Sequence, residues 1–304
     1  EMNTLMGMDD FPLLSEEVET LRMMGYCLNQ DAVYKWSVVL RTLKILQERS
    51  LSALSTGEED EHIGGQGVED RAVLGGNLSC VDIGGGSAPL QYLMAERGCH
   101  VLNIDINFLS SWFPIDADGV YLRADHRAIP RFPERIRKAE GDFLSHLRQI
   151  PDGSVDVFYD ACSFIHMWPR YPTPQDGLAV AMHEIHRCLK PGGVFMAVSD
   201  VSHPDAAEIR EFLHADTLAN VLSHGGQLEW LTEPRFFLRE GVDEEAFGSA
   251  ANCLRLETSW HKPNMSSHPL STASLHTCEP LPEGELRLLV ANFALRKPTQ
   301  VEHY

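Results

Sequence analysis

One stretch restricts the fold more tightly than any other: Val81-Asp82-Ile83-Gly84-Gly85-Gly86-Ser87-Ala88-Pro89-Leu90, a short apolar strand that runs into three consecutive glycines and then a helix-like segment. Glycine lets the chain turn sharply between strand and helix, and it lets a ligand approach main-chain atoms that a side chain would cover. A strand, a glycine turn and a helix make a nucleotide cradle; the same order also serves a tight βα connection that binds nothing. Read as the dinucleotide fingerprint G-x-G-x-x-G, the run supplies Gly84 and Gly86 but places Pro89 at the third glycine.

The following segments repeat the strand and helix alternation. Leu90 to Arg97 has helical spacing, and Cys99-His100-Val101-Leu102-Asn103-Ile104-Asp105 reads as a second strand with an acid at its C-terminal end. Asp105 lies about 20 residues past the glycines, where an adjacent parallel strand presents a carboxylate to both hydroxyls of a ribose. Two further segments follow in the chain, Val120-Tyr121-Leu122-Arg123-Ala124-Asp125-His126-Arg127-Ala128-Ile129-Pro130 and, after Pro151-Asp152-Gly153, Val155-Asp156-Val157-Phe158-Tyr159-Asp160. Ala179 to Leu189 is helical by spacing. Lys190-Pro191-Gly192-Gly193 then reads as helix stop and turn, and Val194 to Asp200 as a fifth strand.

Taken in this order, residues from about 78 to 200 resemble the class I S-adenosylmethionine-dependent methyltransferases. The family's G-x-G-x-G turn is matched at Gly84 and Gly86, with Ala88 replacing the last glycine and Asp82 as the preceding acid. The resemblance implies a doubly wound, Rossmann-like α/β fold of seven strands, with S-adenosyl-L-methionine as cofactor. By the same resemblance Asp82, Gly84, Gly85, Gly86 and Asp105, with Ile106 beside it, hold that cofactor. Asp125 stands where the family's third strand ends in a glycine- or alanine-aspartate pair whose aspartate accepts from the adenine amino group, with His126 next to it. The segment Ile150 to Met167 resembles the turn, fourth strand and loop that cover the transferred methyl, with Asp160 at the strand end. Many relatives carry Glu-His in that loop; here Ile165 replaces the glutamate and His166 remains. Leu189-Lys190-Pro191-Gly192-Gly193 before an apolar strand is also similar to a frequent signature of the family.

Composition narrows the function. A chain of 304 residues can form one large α/β domain with embellishments, and the expected division is a helical cap over 1–54, a connection over 55–77 and a methyltransferase domain over 78–304. Lys+Arg 25 against Asp+Glu 44 gives a formal net charge of -19, which repels a phosphate backbone, so a nucleic-acid substrate is not expected and a small molecule is. Most of the acids read as a solvated face. The seven cysteines contain no C-x-x-C pair, so neither a metal site nor a disulfide framework is expected, which fits a reducing, cytoplasmic compartment. No apolar stretch is long enough to span a bilayer, and there is no charged-then-apolar leader. Oligomeric state is not readable.

Ahead of the glycine turn, Ser15 to Glu48 has helical spacing, starting at Ser15-Glu16-Glu17. Tyr34 and Trp36 are candidates to line the cofactor mouth, or ordinary core of an amphipathic helix. Ser55 to Asn77 is polar and glycine-rich. Beyond Asp200 the pattern predicts a helix over Pro204 to Leu222, strands near Gln227 to Leu231, Asn252 to Trp260 and Glu285 to Leu295, and a long loop over Lys262 to Pro282.

A sulfonium methyl is already an activated electrophile, so the protein must align a nucleophile and, for a hydroxyl acceptor, remove a proton. In a doubly wound sheet this happens above the C-terminal strand ends. His166 is the preferred base, with Asp160 and His203 as further candidates, which favours O-methylation. Two other enzyme readings are weaker. His183-Glu184-Ile185-His186 lacks the H-E-x-x-H register of a zinc hydrolase, and Cys162 has no partner fixed by sequence. The alternatives to a methyltransferase are an NAD(P)-linked oxidoreductase and a non-catalytic methyltransferase-like subunit.

Overall fold

A computed structural model of the chain describes residues 35–36, 38–44, 47, 77–86, 88–106, 134–161, 163–164, 174–202, 218, 222, 227–238 and 288–299. Along the sequence these give β1 (Ser79–Ile83), α1 (Leu90–Glu96), β2 (His100–Asp105), β3 (Ile136–Glu140), α2 (Phe143–Leu147), β4 (Val155–Ala161), α3 (Pro174–Cys188), β5 (Leu189–Ser202), β6 (Glu229–Leu238) and β7 (Leu288–Arg296). The strands form one seven-stranded sheet in the order β3-β2-β1-β4-β5-β7-β6. β1 to β5 pair in parallel, and β7 runs antiparallel to both of its neighbours.

The central strands are near-continuous apolar runs because both of their faces are covered. Val81, Ile83, Val157, Phe158 and Tyr159 are all buried. α3 turns Leu178, Ala181, Met182, Ile185 and Cys188 inward at helical spacing, each no more than 3% exposed, while Val180 and His183 face out. Each large apolar side chain buried this way is worth roughly 1.5–3 kcal/mol. Phe195 joins two parts of this core, meeting Phe164 edge-on at 5.3 Å and Phe293 at 5.5 Å. The Cys188 thiol packs at the end of α3, and burial pushes it up to about 11.

The chain leaves β1 outward through β2 and β3, then returns to the other side of β1 as β4. The two directions part between β1 and β4, and the crevice above their C-terminal ends is where a doubly wound sheet takes its ligand.

Three boundaries differ from the expectations. The strand that pairs with β2 is Ile136–Glu140, whereas the third strand was expected to end at Asp125, which lies outside the described residues. α3 starts at Pro174 rather than Ala179; proline suits a first helical turn, where its missing N–H has no partner to lose. Lys190-Pro191-Gly192-Gly193 does not separate helix from strand but bulges out of β5. Leu189 pairs with Val155, and the ladder resumes at Val194 with Val157. The bulge is stitched to the end of β7 by Gly192 N to Lys297 O and Lys297 N to Gly193 O, both 2.9 Å. Gly192 has φ +78°, a conformation that glycine takes without strain.

The final antiparallel strand stands where expected, and β6 extends further than Gln227 to Leu231. Residues 38–44 are helical, with Val39, Leu40 and Leu43 buried, as the Ser15 to Glu48 pattern predicts for this part; Trp36 is buried as well. Leu218 and Leu222 are helical and buried within the expected Pro204 to Leu222 helix. Tyr34, the 55–76 connection, the Asn252 to Trp260 strand and the Lys262 to Pro282 loop lie outside the described residues. Among the described residues no helix is long and apolar enough to cross a membrane.

Candidate cofactor site

The glycine turn caps β1. Gly84 has φ +61° and Gly86 φ +50°, left-handed positions that a side chain would strain. Gly84 N donates to Ile104 O at 2.8 Å, tying the turn to β2, and Ser163 Oγ donates to Gly84 O at 2.7 Å, tying it to the loop after β4. The first two glycines were expected to make room for a ligand, and the structure gives a different reason. A Cβ on Gly84 would lie 2.3 Å from Ser163 Cβ, and one on Gly85 would lie 2.1 Å from Asp82 Oδ2. At both positions the crowding atoms belong to the protein.

Around this turn the strand ends present acids. Asp82 is 1% exposed and lies beneath Gly85, with no hydrogen-bond partner for its Oδ2. Burial pushes its carboxyl well above the usual carboxylate range. The hydroxyl of Tyr159, its register partner on β4, acts in the opposite sense, and the charges of Asp160 and Asp105 add to the rise. The Tyr159 hydroxyl is itself pushed well up, first by burial and then by Asp82, and it too lacks a well-formed hydrogen bond.

Asp105 ends β2, half-buried, and Ile106 beside it is 51% exposed. Gly141 N donates to Asp105 O at 2.9 Å, which brings the end of β3 against the end of β2. The residue that follows is Asp142, whose Oδ2 accepts from Ser145 N at 2.9 Å and Ser145 Oγ at 2.8 Å, capping α2. Gly141-Asp142 therefore stands at the end of the strand beside β2, the position that the family resemblance assigned to Ala124-Asp125. The local signal was there to read, in a glycine-aspartate pair directly before a capped helix. Asp125 and His126 lie outside the described residues.

Asp160, expected to touch cofactor or substrate, is fully buried and occupied. Its Oδ1 accepts from Ser163 N at 2.7 Å and Phe164 N at 2.9 Å, and its Oδ2 accepts from Ser199 Oγ at 2.7 Å. The carboxylate shapes the start of the loop after β4, and through Ser163 that loop is fastened to the glycine turn. Neither Ser163 nor Ser199 was singled out from sequence, because a serine carries no signal of its own until packing places it. His166, His203 and Cys162 lie outside the described residues. On α3, Glu184 is held by Arg187 at 2.8 and 3.0 Å, His183 is exposed, and Ile185, between them and His186, packs into the core.

Comparison with known proteins bears directly on this segment. Residues 81–197, from β1 into β5, match a family model described as a methyltransferase domain. No curated protein matches the chain significantly. Similar solved structures include geranyl diphosphate C-methyltransferase from Streptomyces coelicolor A3(2), 14% identical over 87% of this chain and 84% of that one, with TM-score 0.45. They also include 1,6-didemethyltoxoflavin-N1-methyltransferase from Burkholderia thailandensis, 16% identical over 95% and 93% with TM-score 0.41, and the [4+2]-cyclase SpnF, 18% identical over 84% and 93% with TM-score 0.44. Residues 81–197 thus match a methyltransferase domain, and the seven-stranded sheet with its antiparallel β7 is the arrangement that the family resemblance of this segment implies.

Proposed function

We propose that this protein transfers a methyl group from S-adenosylmethionine to a small-molecule acceptor. The observation that carries this reading is the chemistry of the strand ends. Among the described residues, the ionisable side chains at the C-terminal ends of β1 to β4 are Asp82, Asp105, Glu140, Asp142 and Asp160, all acids; Asp82 and Asp160 are buried beneath the turn and the loop, which leaves Asp105, Glu140 and Asp142 toward solvent. Such a set suits a ligand with a ribose diol, an exocyclic amine and a positive charge, and it disfavours the pyrophosphate of a dinucleotide. S-adenosylmethionine supplies a methyl on a cationic sulfur, already activated for transfer.

On this reading Asp105 accepts from the ribose hydroxyls, and Ile106 offers an exposed apolar face beside the base. Asp142 takes the part first expected of Asp125, accepting from the adenine amino group. The turn at Gly84 to Gly86 brings main chain close to the cofactor, and Asp82 supports the turn from below. The loop anchored by Asp160 leads, two residues beyond Phe164, to His166. We assign His166 as the base for a hydroxyl acceptor, which makes the reaction an O-methylation; His203 is the second candidate. The net charge of -19 favours a small acceptor over nucleic acid.

Thermal melts with S-adenosylhomocysteine and with NAD separate the readings. Stabilisation by the first alone is expected; stabilisation by NAD alone points to an oxidoreductase, and binding without turnover on a metabolite panel points to a non-catalytic subunit. Asp105→Ala should weaken S-adenosylhomocysteine by roughly 1.5–3 kcal/mol, since a charged acceptor is lost; unchanged calorimetric affinity removes Asp105 from the site. His166→Ala should lower turnover roughly 100-fold with cofactor affinity unchanged, and should abolish the rise of activity through the histidine range. Normal turnover with the same pH profile excludes His166 as the base.

A further inference from the structure

The glycine turn does without the family's last glycine: Ala88 stands there, Pro89 follows, and Pro89 opens α1 with no side-chain cap. Two side chains behind the turn explain how it keeps its shape. Gln91 on α1 and Asn103 on β2 are both fully buried. Asn103 Nδ2 donates to Gly86 O at 2.8 Å and to Gln91 Oε1 at 3.1 Å. Gln91 Nε2 donates to Ala88 O at 2.9 Å and, more loosely, to Gly86 O at 3.4 Å. Both carbonyls of the turn are thus drawn toward the core. Asn103 also shares a face of β2 with Asp105, two residues on, so one strand carries both the ribose acid and the clamp on the turn. Asn103 Oδ1 has no partner. An apolar side chain would fill the position without stranding a polar atom, so the amide is accounted for by what its Nδ2 holds.

We propose that Asn103 and Gln91 are positioning residues that hold the glycine turn in its cofactor-binding shape, an inference that rests on the reading of this mouth as an S-adenosylmethionine site. The test is calorimetric titration of the full chain with S-adenosylhomocysteine for wild type, Asn103→Ala, Gln91→Met and a control, Leu147→Ala, a fully buried core residue of α2 away from the turn. Asn103→Ala should raise Kd at least tenfold and the KM for S-adenosylmethionine in parallel, with kcat at saturating cofactor within threefold of wild type. Leu147→Ala should lower the melting temperature at least as much and leave Kd within twofold. Should Asn103→Ala not fold, Gln91→Met, close in shape but without the donors, carries the same expectation. A folded variant with Kd within twofold of wild type overturns the proposal, as does a control that shifts Kd equally. Wild type that binds no S-adenosylhomocysteine defeats the functional reading itself, a separate result seen before any variant is compared.

Discussion

The two ends of the sheet handle polar groups in opposite ways. At the N-terminal end charges are paired: Asp156 accepts from Ser79 N and from Lys190 Nζ on both oxygens, all at 2.8 Å. Arg187 meets Asp152 and Glu184 and also donates to Ile150 O and Leu147 O at 2.9 and 2.8 Å. Lys297 Nζ closes the end of α3 through His186 O and Leu189 O at 3.0 and 2.8 Å. At the C-terminal end, Asp82 Oδ2, Asn103 Oδ1 and Tyr159 Oη are buried without a well-formed hydrogen bond. A buried group left unsatisfied costs about 1–3 kcal/mol. Three buried polar atoms left without a well-formed bond at this end are a cost to stability, and they lie at the end where the proposed cofactor would bind.

The sharpest way to break this comparison is at Gly84, where turn and loop meet. Gly84→Ala adds a side chain at φ +61° and sets its Cβ 2.3 Å from Ser163 Cβ. Strain and overlap together should lower stability by about 3 kcal/mol, read as a fall in urea midpoint, and should abolish cofactor binding. In the double variant with Ser163→Gly the overlap disappears but the backbone strain remains, so part of the loss should return. A single variant within about 0.5 kcal/mol of wild type would show that the turn can move aside and is not fixed as described.

How much of this was legible in sequence follows from how local each feature is. The β1 turn, α1 and the acid ending β2 come from a glycine run and a β-branched strand, signals held within a few neighbouring residues. β3 was not found, because Ile136-Arg137-Lys138-Ala139-Glu140 is an edge strand with Arg137 and Glu140 exposed, and its apolar pattern is fainter than that of Val120 to Leu122. With the strand went its acid, Asp142. The β5 bulge was read as a plain turn because its pairing is decided by Val155 and Lys297, which are distant in sequence. The clamps of the site share that property: Ser163 reaches Gly84 across 79 residues and Ser199 reaches Asp160 across 39. A side chain's partner across the sheet depends on packing, which one sequence does not display.

Asp82 sharpens the comparison through pH. Its folded carboxyl is raised well above the usual range, first by burial, so between the ordinary aspartate range and the folded value the native state binds more protons than the unfolded chain. Stability from this group is therefore full at low pH and falls as pH rises toward the folded value. Asp82→Asn removes the titration. The variant should gain on wild type as pH rises above the ordinary aspartate range, in urea midpoints taken without cofactor, and a gap independent of pH would mean that the Asp82 carboxyl is not raised as described.

The smallest effect belongs to the other end. Lys190 is 40% exposed and Asp156 12%, so solvent screens the pair, and Asp156 keeps Ser79 N when the lysine is lost. Lys190→Met retains the aliphatic stem and removes only the charge, so the loss should be under about 1 kcal/mol and should shrink further in high salt. The affinity for S-adenosylhomocysteine should stay within twofold of wild type, because the pair lies at the start of β4 and β5 and the mouth at their far ends. Asp105→Ala should do the reverse, weakening the ligand with little change in the unfolding midpoint, since half-buried Asp105 ends its strand beside the mouth. If Lys190→Met weakens the ligand as much as Asp105→Ala does, the two ends are coupled through the sheet, and the division between an end that stabilises and an end that binds the proposed cofactor does not hold.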